Sequence, residues 1–251
     1  MEETVRKYGW KRDLPDHRDL VFLPSAEELP KRIDLRPYCS KVEDQGNLGS
    51  CTANALVGAL ELIEMKKWKK YADLSRRFVY YNELDMEGSL PNDSGARIRD
   101  GVKTLAQKGV CLESIWPYII DDFAERPSVE AYTEALLHKI ISYRRVRQDQ
   151  SDMLAALAEG FPFVFGFSVF ESFESAEVAK SGIVSLPKKS ESFLGGHAVC
   201  SVGYDMTDKD FICRNSWGQA WGDHGYFYMP FAYLTDPGLA SDFWTIHTAN
   251  V

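Results

Sequence analysis

With 251 residues, 45% of them hydrophobic, the chain is long enough to bury a core as one large domain or two small ones. Its 37 acidic residues outnumber 29 basic ones, for a formal net charge of −8. That balance argues against nucleic acid or an anionic membrane as the main partner, because both select basic surfaces.

Residues 1–28 contain no apolar run long enough for a secretory signal or a membrane span; Leu20–Pro24 is the longest and is bordered by charge. A cytoplasmic location is therefore expected, with non-classical export left open. Trp10, Leu14, Leu20, Val21 and Phe22 stand in this extension as apolar anchors among alternating charges. Leu29–Val42 reads as extended chain. Gln45–Ala55 is a glycine-containing turn running into a helix that starts at Ser50 or Cys51. A cysteine in the first turn of a helix sits near unpaired N–H groups and the positive end of the helix dipole, which favours its thiolate. Gly46 and Gly49 allow a close backbone approach, and Gln45 offers an amide donor six residues before the sulfur.

Apolar residues at Ala55, Leu56, Ala59, Leu60 and Ile63 have helical spacing, so Cys51–Lys70 is expected to be a central helix buried on its apolar face. Ser75 is placed to cap a second helix through Leu84, and Ser94 a third through Gln107 that ends at Gly109. The Asn92-Asp93-Ser94 triplet matches a glycosylation acceptor but, without secretion, reads rather as a turn and helix cap. Ser128–Ile141 has amphipathic helical spacing. The following Arg144, Arg145 and Arg147 form either a solvated strand edge or a basic recognition patch. Ser151–Glu159 reads as a helix, the apolar run Phe161–Phe170 as a buried strand, and Gly182–Val184 as a further strand. Gly195–Asp205 and Phe211–Met229, joined by the short polar stretch Met206–Asp210, read as a β-hairpin. The hairpin would bring His197, near the start of one strand, beside Asn215 at the end of its partner. An imidazole can hold a thiolate and later protonate a leaving amine, while an amide oxygen on its other nitrogen fixes its tautomer.

The five cysteines, 39, 51, 111, 200 and 213, are odd in number, and no disulfide is expected. There is no CxxC, no HxxxH and no glycine-rich phosphate loop, so neither metal nor cofactor is expected.

The order Gln45, Cys51, His197, Asn215, followed by NSWGxxWGxxGY, resembles the papain-like cysteine peptidases from about Leu29 to the C-terminus. His197 and Asn215 lie 146 and 164 residues downstream of the cysteine, against a family spacing of roughly 130–150. The resemblance implies an α+β fold of two lobes: a helical lobe, roughly residues 45–120, whose buried central helix carries the nucleophile, and an antiparallel β-barrel-like lobe, roughly 140–251. It assigns Cys51 as nucleophile, His197 as acid/base, Asn215 as its orienter, Gln45 with the Cys51 N–H as oxyanion hole, and Trp217 as a cover over the His197–Asn215 bond. Gly49, Ser50, Gly95, Ala96, Ile98, Gly196, Ala198 and Trp217 become the expected substrate-binding residues, with Ile98 and Ala198 walling an apolar second subsite.

Two departures stand out. Leu48-Gly49-Ser50-Cys51-Thr52 lacks the first cysteine of the family's CGSCW, so that disulfide cannot form, and Gly95-Ala96 stands where the family often has paired glycines. Residues 1–28 are far shorter than the usual inhibitory pro-region. The extension is either a strap packed permanently on one lobe or a segment in or beside the cleft that restrains activity. The expected function is hydrolysis of peptides or proteins through an acyl-enzyme by an endopeptidase. The alternatives are a catalytically silent peptide- or partner-binding protein and acyl transfer to an amine, of the ligase or transglutaminase kind.

Overall fold

A computed structural model describes residues 6–25 and 28–248. In chain order its elements are β1 (Trp10–Lys11), β2 (Arg32–Asp34), α1 (Cys51–Trp68), α2 (Arg76–Glu87), β3 (Ala96–Arg97), α3 (Ile98–Gln107), α4 (Val129–Ala135), β4 (Ile140–Arg145), α5 (Gln150–Ala158), β5 (Phe163–Phe170), α6 (Ala176–Ser181), β6 (Phe193–Asp205), β7 (Asp210–Arg214), β8 (Tyr226–Pro230), α7 (Phe231–Thr235) and β9 (Ala240–Thr248). Helices α1–α3 form one lobe and a seven-stranded sheet the other; the strand order is β4-β9-β5-β6-β7-β8, with β2 added to β6.

The sheet is not closed into a barrel, which corrects the barrel-like lobe expected from the resemblance. Its two outer strands are covered separately instead of meeting. Arg145 on β4 exchanges backbone hydrogen bonds with Leu20 and Phe22 of the extension, and Tyr228 on β8 forms a bridge with Ile183. The Gly182–Val184 segment is thus an edge bridge and not a strand of its own.

The helix α1 is buried on every side from Cys51 to Glu64, beyond the single apolar face read from its spacing. Its apolar residues face both lobes. Its two buried acids are met by partners: Arg76 grips Glu61 through two hydrogen bonds of 2.6 and 2.7 Å, and His138 Nδ1 lies 2.9 Å from Glu64. A buried carboxylate is tolerated only with such pairing. The hydroxyl of Ser75 accepts from the Phe78 N–H and caps α2 as expected.

Ser94 does not cap α3, which begins only at Ile98, because Ala96 and Arg97 are drawn into a two-stranded ladder with Trp10 and Lys11. The amphipathic helix expected over Ser128–Ile141 stops at Ala135, and its last two residues belong to β4, where Ile140 pairs with Thr248. Arg144 and Arg145 lie on that strand. Arg145 is tied to Asp13, Asp19 and Asp242 and Arg147 to Asp152, so two of the three arginines of the supposed patch are already spent on carboxylates. All five cysteines are free.

Candidate active site

Three pieces of chain meet at the interface of the lobes. The turn before α1 supplies Gln45 and the first residue of α1 is Cys51, the start of β6 supplies His197, and the residue just after β7 is Asn215. Strands β6 and β7 are antiparallel neighbours. His197 Nε2 lies 2.8 Å from Asn215 Oδ1, which also accepts from the Ser216 N–H at 2.9 Å. An amide oxygen only accepts, so Nε2 carries the proton and Nδ1 is left as the basic nitrogen. Nδ1 is buried and has no hydrogen-bond partner among the described residues. Trp217 stacks on the imidazole, ring centres 4.9 Å apart, and keeps water from that face.

Cys51 is the first residue of α1 and is fully buried. Its sulfur is approached by the backbone N–H groups of Ala198, Gly9 and Thr52. Burial pushes the thiol up to about 12, against the pull of those N–H groups, and burial takes the His197 imidazole down to about 4, with Arg6 adding in the same direction. Both groups are therefore neutral in this state at physiological pH. The buried Gln45 amide nitrogen donates to Leu48 O at 2.9 Å and to Lys7 O at 3.3 Å, while Gln45 Oε1 accepts from the Ser216 hydroxyl at 2.5 Å.

The groove beside these groups is filled by the chain's own residues 6–12. Arg6 lies over the Trp217 ring, 4.7 Å from its centre, and the Tyr8 ring packs against His197 and Trp217. Gly9 runs between Gly49 and Gly95 so closely that a Cβ on Gly9 would overlap the Gly49 carbonyl, and one on Gly95 would overlap the Gly9 carbonyl. Ala96 N donates to Gly9 O at 2.7 Å. The Trp10 indole lies on Gly166 and Gly196, where a Cβ at Gly166 would overlap the ring. Of the expected substrate-binding residues, Gly49, Gly95, Ala96, Gly196 and Trp217 all touch this segment. Ala198 contributes its N–H to Cys51. Ile98 is wholly buried at the start of α3, and the Ser50 hydroxyl points into the helical lobe, 2.5 Å from Tyr118 Oη.

Gly166, Asp93 and Ser216 escaped the sequence reading. A lone glycine inside the apolar run FVFGFSVF does signal close approach to a strand. Asp93 was hidden in a triplet that reads equally well as a turn.

A profile described as papain family cysteine protease matches residues 29–242. The chain belongs to this family. Over 269 aligned residues it is 44% identical to an uncharacterized peptidase C1-like protein of Acanthamoeba polyphaga mimivirus, covering 96% of this chain and 86% of the relative. It is 32% identical to cysteine proteinase 1 of Entamoeba histolytica over 212 residues, covering 80% of this chain but only 64% of that protein. Among solved structures, xylellain, a cysteine protease from Xylella fastidiosa, superposes over the full length of both chains with a TM-score of 0.93 and 40% identity. The papain family fold thus accounts for the helical lobe, the sheet lobe and the groove between them. Among the described residues no helix is long and apolar enough to cross a membrane.

Proposed function

We propose that the chain is a cysteine-type endopeptidase held in check by its own residues 6–12. The observation that carries this reading is the convergence on one groove of the Cys51 thiol, His197 Nδ1, which has no hydrogen-bond partner among the described residues, and the Gln45 amide, with Asn215 fixing the imidazole. With the groove open, water returns to the imidazole and the proton of Cys51 passes to His197 Nδ1, giving a thiolate–imidazolium pair. The thiolate adds to a peptide carbonyl, and Gln45 Nε2 with the Cys51 N–H receives the oxyanion. The C–N bond breaks as His197 gives its proton to the departing amine. Water, deprotonated by His197, then releases the acid and restores the thiol.

An endopeptidase is favoured because the groove holds continuous chain on both sides of the sulfur, from Arg6 at Trp217 to Lys11 at Glu87. The segment is not presented as a substrate. The carbonyl at the Gln45 amide belongs to Lys7, whereas the N–H that pulls on the Cys51 thiol belongs to Gly9, two residues on, and the segment pairs with Ala96 and Arg97 in a parallel ladder.

The test is digestion of internally quenched peptides by the full-length protein, with product masses read by mass spectrometry and Cys51→Ser as control. Internal cuts that Cys51→Ser abolishes support the reading. Tight peptide binding without products would mean a silent binder, and products extended by an added amine would mean acyl transfer.

A further inference from the structure

Three basic residues of the segment in the groove each meet a carboxylate on its rim: Arg6 with Asp44, Lys7 with Asp93 and Lys11 with Glu87. The three pairs are not equivalent. Asp44 is more than half exposed, and Glu87 is already matched by Arg97, which lies 3.5 Å from it. The Asp93 side chain is only 10% exposed, and Lys7, at 2.5 Å, is its sole cationic partner among the described residues. Its remaining contacts come from neutral donors: the Gly49 N–H at 3.1 and 3.2 Å, and the hydroxyl of Tyr80. When Lys7 leaves, the Asp93 carboxylate faces the groove without that counter-ion.

Lys7 also marks where that charge sits relative to the chemistry. Its carbonyl oxygen is 3.3 Å from Gln45 Nε2 while its ammonium reaches Asp93, so one residue spans the oxyanion donor and the carboxylate. The segment does not lie as a substrate would, but a substrate residue whose carbonyl meets the same donor starts from the same point, and a lysine-length side chain spans the distance from there to the acid. Gly49 belongs to the turn that leads into Cys51, and its bond to Asp93 fixes the distance between them.

We propose that Asp93 is a specificity-determining residue that selects lysine or arginine as the residue donating the scissile carbonyl. This rests on the peptidase reading above. A charge-assisted contact of this kind, desolvated on one side, corresponds to at least about tenfold in rate over a neutral side chain of the same length.

The test uses two peptidyl chloromethyl ketones that differ only in ending with lysine or norleucine. Labelling of Cys51 is followed by mass spectrometry in the full-length protein, in full-length Gly9→Ala, and in each with Asp93→Asn. The asparagine side chain keeps an acceptor for Gly49 and Tyr80 but loses the charge. Because displacement of the covering segment is common to both probes, the lysine-to-norleucine rate ratio isolates the side-chain preference. The expected ratio is at least about tenfold with Asp93, shrinking with added salt, and within about twofold in the Asp93→Asn proteins. Equal ratios with and without the charge, in a protein whose Cys51 still outpaces the other cysteines toward iodoacetamide, overturn the assignment and leave the peptidase reading standing. A Cys51 no more reactive than the other four in every variant overturns both.

Discussion

The N–H of Ala96 donates to the carbonyl of Gly9 across 2.7 Å, so the edge strand beside the candidate nucleophile is already paired, by the chain's own N-terminal segment. The ladder formed is parallel and two residues long, Trp10 with Ala96 and Lys11 with Arg97. Its strength comes less from those bonds than from what flanks them: an indole on two glycines, and Gly9 pressed between two further glycine backbones.

Adding one methyl group at Gly9 should open the groove. In Gly9→Ala the new carbon overlaps the Gly49 carbonyl, and overpacking of this kind costs about 1–3 kcal/mol. The expected outcome is a roughly five- to hundredfold faster alkylation of Cys51 by iodoacetamide at pH 7, with the other four cysteines unchanged as internal controls. Unchanged Cys51 labelling in a folded Gly9→Ala protein would show that the segment does not gate the sulfur.

The pH dependence of the same reaction follows from the thiol being pushed up to about 12 while it is covered. Far below that value the thiolate fraction, and with it the alkylation rate, rises about tenfold per pH unit. In the wild-type chain the rate should therefore climb steadily from pH 6 to pH 9. In Gly9→Ala, with the thiolate stabilised by His197, it should level off below the ordinary thiol value of about 8.5. Matching profiles for the two proteins would refute this account of the covered state.

Loss of Gln45, the proposed oxyanion donor, should lower turnover far more than stability. Gln45→Ala is expected to lower kcat by about 10²–10³. It also removes the hydrogen bonds to Leu48 and Ser216, so a stability loss of about 1–3 kcal/mol accompanies it, measured by urea unfolding. Near-normal kcat on a quenched peptide would remove Gln45 from the chemistry.

Asp13 gives a prediction for stability against pH. Burial, with repulsion from Asp242 next in size, lifts its carboxyl to about 6 despite its bonds to Trp244, Arg99 and Arg145. A raised folded value means that the folded state holds the proton more tightly than the unfolded chain. The contribution is fully present below about pH 4 and is lost as pH rises through 6. Relative to Asp13→Asn, the wild-type protein should thus gain stability on going from pH 7 to pH 5, by about 1–2 kcal/mol. Thermal melts of both proteins across that range check it; a difference independent of pH would refute it.

The features legible in the sequence were those set by local rules or by a fixed order of motifs. Cys51 opens a helix because a glycine-containing turn precedes an apolar periodic run, and His197 meets Asn215 because a short polar link between two apolar runs makes a hairpin. The path of residues 6–12 was not legible. A two-residue strand has no periodicity, and its partner Ala96 lies 86 residues away in a stretch that reads as the helix start after Ser94. Nor did the sequence show that the sheet stays open, with Leu20 and Phe22 of the extension bonded to the edge strand β4. Of the extension, residues 6–12 lie in the groove, while residues 13–22 are bonded to both lobes and not to one, as the strap was expected to be.

That division has a consequence for how the groove can be freed. Asp13 is tied to Arg99 in the helical lobe and to Trp244 in the sheet, and Asp19 to Arg99 and Arg145. Residues 6–12 are therefore a tethered ligand with a local concentration on the order of millimolar, set by a tether of a few residues. Diluting the protein does not displace it, and under the proposed function a substrate would compete with a unimolecular equilibrium that is the same at every protein concentration. Cutting the chain between Lys11 and Asp13 would turn that equilibrium into an ordinary bimolecular one, and the severed peptide would be lost to solution while the anchoring half stayed in place.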